Sequence, residues 1–202
     1  MRTFNFCALQ FLNQWLGKEA IYCESLASND ITTQRNALVA AGGHFRVARN
    51  LPTIYETEYN LQRYEPVLYV LNEVGPLTAD NVTDIVNDAR QRISFAYGKR
   101  NVLSLTTKFL WLKFQSPVRI YDRQVRIALG TREGNYLAFN DAFTSRYAEH
   151  KDEIETACGN LSDVISYSIR PNMEQAVLEG LVALPWFRER VLDIYLWNQG
   201  NA

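Results

Sequence analysis

The chain has 202 residues, 47% of them hydrophobic and 21% charged, with 10 Gly, 6 Pro and 3 Cys. That is ordinary folded-domain make-up, and it excludes collagen-like, coiled-coil, disordered and disulfide-scaffold classes. The net charge of −1 conceals a division. Residues 1–89 carry 6 Lys/Arg against 10 Asp/Glu and residues 133–202 carry 5 against 11, whereas residues 90–132 carry 10 basic groups and one acid, Asp122.

The periodicity is helical nearly throughout. Phe6, Leu9, Phe11, Leu12, Trp15 and Leu16 form one apolar stripe that is expected to end near Gly17. Gln10, Asn13 and Gln14 interrupt this segment, so it does not read as a signal peptide, and no apolar stretch approaches the ~18 residues of a bilayer span. Ala37, Leu38, Ala41 and Phe45 suggest a second helix, and Gly42-Gly43 reads as a break in it. Pro66 starts a short helix through Leu71, stopped by Gly75-Pro76. Thr78 is the expected cap of the next, which runs along Val82, Val86, Ala89, Ile93 and Ala96 to Gly98.

Ser104 is the expected cap of a helix from Leu105 to about Phe114, Pro117 lies in a loop, and Asp122 caps a helix holding Val125, Ile127 and Leu129. Helices from Asn140 to Cys158, from Asn172 through Leu181 and from Pro185 to Gly200 complete the chain. No strand-like alternation is long enough for a sheet. The expected class is all-α, a compact multi-helix globule forming one domain over residues 1–202 with its N- and C-terminal helices packed together. Cys7, Cys23 and Cys158 lack C-x-x-C spacing, and His44 and His150 lie far apart. No metal site or cofactor is expected, and a reducing cytoplasm fits best.

The basic window reads as either a solvated face or an anion-binding surface for phosphates. Within it, Lys108 falls early in an apolar helix among Phe109, Leu110, Trp111 and Leu112, where desolvation favours the neutral amine. Asp122 follows 14 residues later, at the mouth of the next helix. An amine nucleophile beside a carboxylate is the chemistry that cleavage at a sugar C1′ needs. The plainer reading stands beside it: a lysine whose stem covers apolar surface, and an aspartate that only caps. Asp193 and Trp197, four apart on the last helix, share a face; a carboxylate there can accept from a guanine N1–H and N2–H₂ while an indole stacks. Equally, Asp193 can pair with Arg190 and Trp197 can serve the core. Lys113, Arg119, Tyr121, Arg123 and Arg126 are candidate phosphate or cleft residues.

The run Thr107-Lys108-Phe109-Leu110-Trp111-Leu112, followed by Pro117-Val118-Arg119-Ile120-Tyr121-Asp122-Arg123-Gln124-Val125-Arg126-Ile127-Ala128-Leu129, resembles the helix-hairpin-helix/Gly-Pro-Asp superfamily of DNA glycosylases. Among that superfamily's variants, it is similar to the compact bacterial 8-oxoguanine glycosylase-fold proteins. The resemblance implies a helix-hairpin-helix element, a glycosylase-like core over about residues 76–132, Lys108 as nucleophile and Asp122 as its assistant. The Asp193/Trp197 pair is similar to the base clasp of the archaeal 8-oxoguanine glycosylases. In place of the family's Leu-Pro-Gly-Val-Gly hairpin stands Val102-Leu103-Ser104-Leu105-Thr106-Thr107. The expectation is an N-glycosylase, with or without lyase action, removing a modified guanine-type base such as 8-oxoguanine from DNA. Two alternatives stay open: the same chemistry on a nucleotide, RNA or other non-duplex carrier, and a non-catalytic accessory protein of a defence or repair operon. No membrane partner is expected.

Overall fold

Thr3 opens the first helix, its hydroxyl accepting from the Phe6 amide at 3.3 Å. The computed structural model describes residues 2–49 and 51–201, and it is mostly helical, as the periodicity predicts. Among the described residues no helix is long and apolar enough to cross a membrane. Two compact units emerge, one built from Met1–Ala20 with Tyr121–Ala202, the other from Ile21–Ile120. We call them the terminal and the central unit.

In the terminal unit, α1 (Phe4–Gln14) buries Phe4, Cys7, Ala8, Phe11 and Leu12. The helix does not stop at Gly17. It passes through a π turn, Trp15–Glu19, into α2 (Ala20–Ala27), because glycine inside a helix costs only about 1 kcal/mol and packing outweighs that. The turn carries Glu19 inward, to 1% exposure. After α7 (Arg123–Ala128), helix α8 runs over Tyr136–Gly159. It starts four residues before Asn140 because Asn135 is the cap, accepting from the Ala138 amide at 3.0 Å. A 3₁₀ stretch, Asn160–Tyr167, follows, then α9 (Gln175–Val182), capped by Glu174 rather than Asn172. The last helix, α10 (Pro185–Gly200), packs on α1, α7, α8 and α9. Phe4 stacks on Tyr195 at 4.2 Å and Phe11 meets Phe187 at 4.8 Å, so α1 and α10 share one aromatic core.

In the central unit, Asp30 caps α3 (Ile31–His44), accepting from the Thr33 amide at 2.8 Å. The Gly42-Gly43 pair lies inside this helix and does not break it. A Cβ on Gly42 would fall 1.9 Å from the Tyr64 hydroxyl oxygen, so the glycine is there to admit that ring. Residues 54–62 form an antiparallel hairpin of β1 (Ile54–Glu56) and β2 (Leu61–Gln62), a departure from the purely helical expectation. Strands of three and two residues are too short to show alternation. Helix α4 spans Glu65–Glu73 and α5 spans Val82–Ala96. Asn81, not Thr78, precedes α5; its side chain accepts from the Thr78 amide at 2.8 Å. The end of α5 is a Schellman closure: Gly98 sits at φ +71°, its amide bonds Phe95 O at 3.1 Å and the Lys99 amide bonds Ser94 O at 2.7 Å. Helix α6 (Leu103–Phe114) is buried on nearly every face and packs on α4 and α5.

Burial also sets the thiol chemistry of the terminal unit. Desolvation pushes Cys7 up to about 11 and Cys158 up to about 12 from an ordinary 9.0. The folded state therefore holds these protons more tightly than the unfolded chain, and stability is full below pH 9 and declines as pH rises beyond it. Each thiol is expected to remove up to about 2 kcal/mol by pH 10.5. Urea unfolding at pH 8 and 10.5 measures this, and equal stability at the two values would refute it.

Candidate functional site

Lys108 lies in the central unit on α6, with the residue only 7% exposed. Its position follows from the sequence: Leu105, Phe109, Leu110 and Leu112 bury α6, and a lysine within that run goes in with them. Its Nζ donates to the Ser104 hydroxyl one turn earlier at 3.0 Å. Ser104 is thus not the helix cap. Val102 precedes the helix, Leu103 begins it, and the Ser104 hydroxyl turns to the amine. On another side, Nζ stands 5.9 Å from the centre of the Phe45 ring, at the end of α3. A primary amine held in this way is a candidate nucleophile.

Of the candidate phosphate groups in this unit, Lys113 donates to Asn72 Oδ1, and burial holds its amine below the ordinary lysine range. Asn72 in turn donates to Gln34 Oε1 at 3.0 Å. The Arg119 guanidinium donates to Pro117 O at 2.8 Å. Both side chains are half-buried and make intramolecular hydrogen bonds.

Asp122 belongs to the terminal unit. It is half-buried and caps α7 as its position predicts, accepting from the Gln124 amide at 3.0 Å. Its backbone is held from two sides. Tyr121 points inward, its ring 5.0 Å from Phe139 and its hydroxyl accepting from the Gly134 amide at 2.8 Å. Gln124 packs under Gly200, where a Cβ would lie 2.0 Å from Gln124 O. Arg123 is exposed, and Arg126 donates to Thr131 O at 2.9 Å, closing the turn after α7. Tyr121 therefore supports Asp122 from within.

Asp193 and Trp197 share one face of α10, but at different depths: 7% and 43% exposed. The Asp193 carboxylate accepts from Arg190 Nη1, and Arg190 Nη2 reaches Glu19 Oε1 at 3.1 Å. The guanidinium also lies 5.1 Å from the Phe11 ring centre. Burial works against its charge, and Glu19, Asp193 and then Asp122 outweigh that, holding Arg190 above the ordinary arginine range. Asp193 is thus fixed by an ion pair, the plainer of its two sequence readings. Glu19, Arg190 and Phe45 had no place in the sequence-based site. Arg190 carried a faint signal, a cation three residues before an aspartate in an otherwise apolar stretch; Glu19 carried none, because the π turn that buries it shifts the helical register.

No family model matches the chain, and no curated protein or solved structure matches it. Among the described residues no group of three or more His, Cys, Asp or Glu is placed to hold a metal ion.

Proposed function

We propose that the protein is an N-glycosylase acting on a modified guanine-type base, with Lys108 as its nucleophile. The observation that carries this reading is the buried primary amine on an apolar helix, held by a serine hydroxyl at 3.0 Å beside an aromatic ring. The neutral amine attacks C1′, and the base leaves with the electron pair of the glycosidic bond and takes up a proton. The C1′–O4′ bond then breaks, O4′ taking up the proton that the nitrogen loses, and the opened sugar is a Schiff base that can lose a C2′ proton and eliminate the 3′ phosphate. In this reading the α5–turn–α6 pair is assigned to the helix-hairpin-helix that the resemblance implies.

The test is borohydride trapping on oligonucleotides carrying 8-oxoguanine and other modified guanines, in single and double strands. Wild-type protein is expected to give a covalent adduct. Lys108→Gln is expected to give none while keeping its circular dichroism and melting temperature. A well-folded wild type that traps nothing across the panel overturns the reading.

One observation favours a non-duplex carrier as the second reading. Residues 103–107 are helical, where the resemblance has a glycine hairpin that grips a duplex phosphate. Their amides face along the helix, and Thr106 N already bonds Val102 O at 2.8 Å. Trapping that is stronger on single strands or free nucleotides than on duplex supports this carrier.

A further inference from the structure

A serine and a lysine four residues apart on a helix share one face, and on an exposed face their contact means little. Ser104 and Lys108 meet under other conditions. Both lie on α6 in the central unit, Ser104 as its second residue and Lys108 one turn on. The lysine is 7% exposed and Ser104 is half-buried, so of the two the serine is the one that solvent reaches. Side chains on a helix lean toward its N-terminus, which carries the lysine stem back and brings Nζ to 3.0 Å from Ser104 Oγ.

We infer that Ser104 and Lys108 form a nucleophile–base dyad for acyl transfer, a chemistry separate from base excision, with esters and activated amides as its substrate class. The separation falls within the ~2.6–3.2 Å over which a base takes a nucleophile's proton, and lysine stands in for histidine in some serine hydrolases. The bond serves both protonation states: an ammonium donates to Oγ, and a free amine accepts from the hydroxyl. The start of the helix supplies the third part. First-turn amides have no partner within their own helix. Leu103 N is taken by Asn101 Oδ1 at 3.4 Å and Thr106 N by Val102 O at 2.8 Å. The Ser104 and Leu105 amides lie between these, at the positive end of the helix, and are assigned to the oxyanion. In the first half-reaction Oγ bonds to the acyl carbon and its proton passes to Nζ. The leaving group departs with the electron pair of its broken bond and takes up that proton. In the second half a water gives a proton to Nζ and attacks the same carbon. The bond to Oγ then breaks, Oγ recovers the proton, and the acid is released.

The probe is p-nitrophenyl acetate. Acid-quenched wild type is expected to carry acetyl on Ser104, located by peptide mass spectrometry and removed by hydroxylamine as an ester is, and to release p-nitrophenolate above the background rate. Ser104→Ala is expected to lose both signals. Lys108→Gln is expected to slow the release about a hundredfold or more, and Lys108→Met repeats the test should the glutamine variant melt early. A hydroxylamine-stable acetyl on Lys108 with none on Ser104 overturns the proposal, since the amine is then the nucleophile and the serine only its prop. So does a folded wild type that releases nothing above background, or a Lys108 variant within twofold of wild type. The glycosylase reading is judged apart: Ser104→Ala keeps the amine, and borohydride trapping by that variant and by wild type stands or falls whatever acetyl transfer shows.

Discussion

Replacing Arg190 with alanine is expected to destabilise the terminal unit by about 3–5 kcal/mol, because it strands two buried carboxylates around the space the guanidinium filled. Glu19 is 1% exposed and Asp193 7%, so neither can turn to water without moving its helix. The pairing is geometrically specific: one arm of the fork serves Asp193 on the same helix, the other reaches Glu19 in the π turn. Lysine offers one compact charge in place of a planar fork and is expected to recover only part of the loss. Neutralising the acids together with the base is the informative control. Arg190→Met combined with Glu19→Gln and Asp193→Asn leaves no buried charge among the three and is expected to be more stable than Arg190→Ala alone. Urea unfolding followed by tryptophan fluorescence measures all of these, and a loss below about 1 kcal/mol for Arg190→Ala would mean the carboxylates are not confined as described.

The second large effect is expected at Gly200. Its backbone is ordinary helix, so alanine there costs nothing conformationally, and the whole effect comes from contact with the Gln124 peptide, whose oxygen a Cβ would approach to 2.0 Å. Backbone cannot swing aside as a side-chain tip can. The last turn of α10 and the first turn of α7 must separate, at about 1–3 kcal/mol. The same displacement reaches the cap of α7, since the Gln124 amide is the group that the Asp122 carboxylate grips at 3.0 Å. Gly200→Ala is therefore expected to lower the melting temperature by about 3–10 °C, with the fold retained by circular dichroism. A melting temperature unchanged from wild type would show that the two backbones yield without cost.

Where apolar spacing and caps agreed, the helices were legible in advance. The stretch from Pro185 to Gly200, the Asp122 cap and the Gly98 stop all rest on local chemistry that acts within one turn. Errors came where a distant residue decided the outcome. Gly42 reads as a helix breaker until Tyr64 is placed over it, and Gly17 reads as a stop until the helix is found to loosen into a π turn rather than end. Ser104 reads as a cap because serine so often is one, but Lys108 one turn on takes its hydroxyl. The burial of Lys108 was foreseeable from the apolar residues around it. Asp193 was legible as to face and not as to depth, since its burial depends on Arg190 and on Glu19, which lies 171 positions from Arg190 on an element whose register no spacing rule tracks.

The terminal unit is sewn together from the two ends of the chain, and that bears on how the protein is made. The apolar face of α1 packs against α8 and α10, none of which exists until residues beyond 136 have been synthesised. Residues 21–120, in contrast, contain the strongest packing partners of α4, α5 and α6 and can condense while the ribosome is still translating the remainder. A nascent chain thus carries Phe4, Phe11 and Leu12 uncovered until α8 and α10 emerge, a ready substrate for ribosome-associated chaperones.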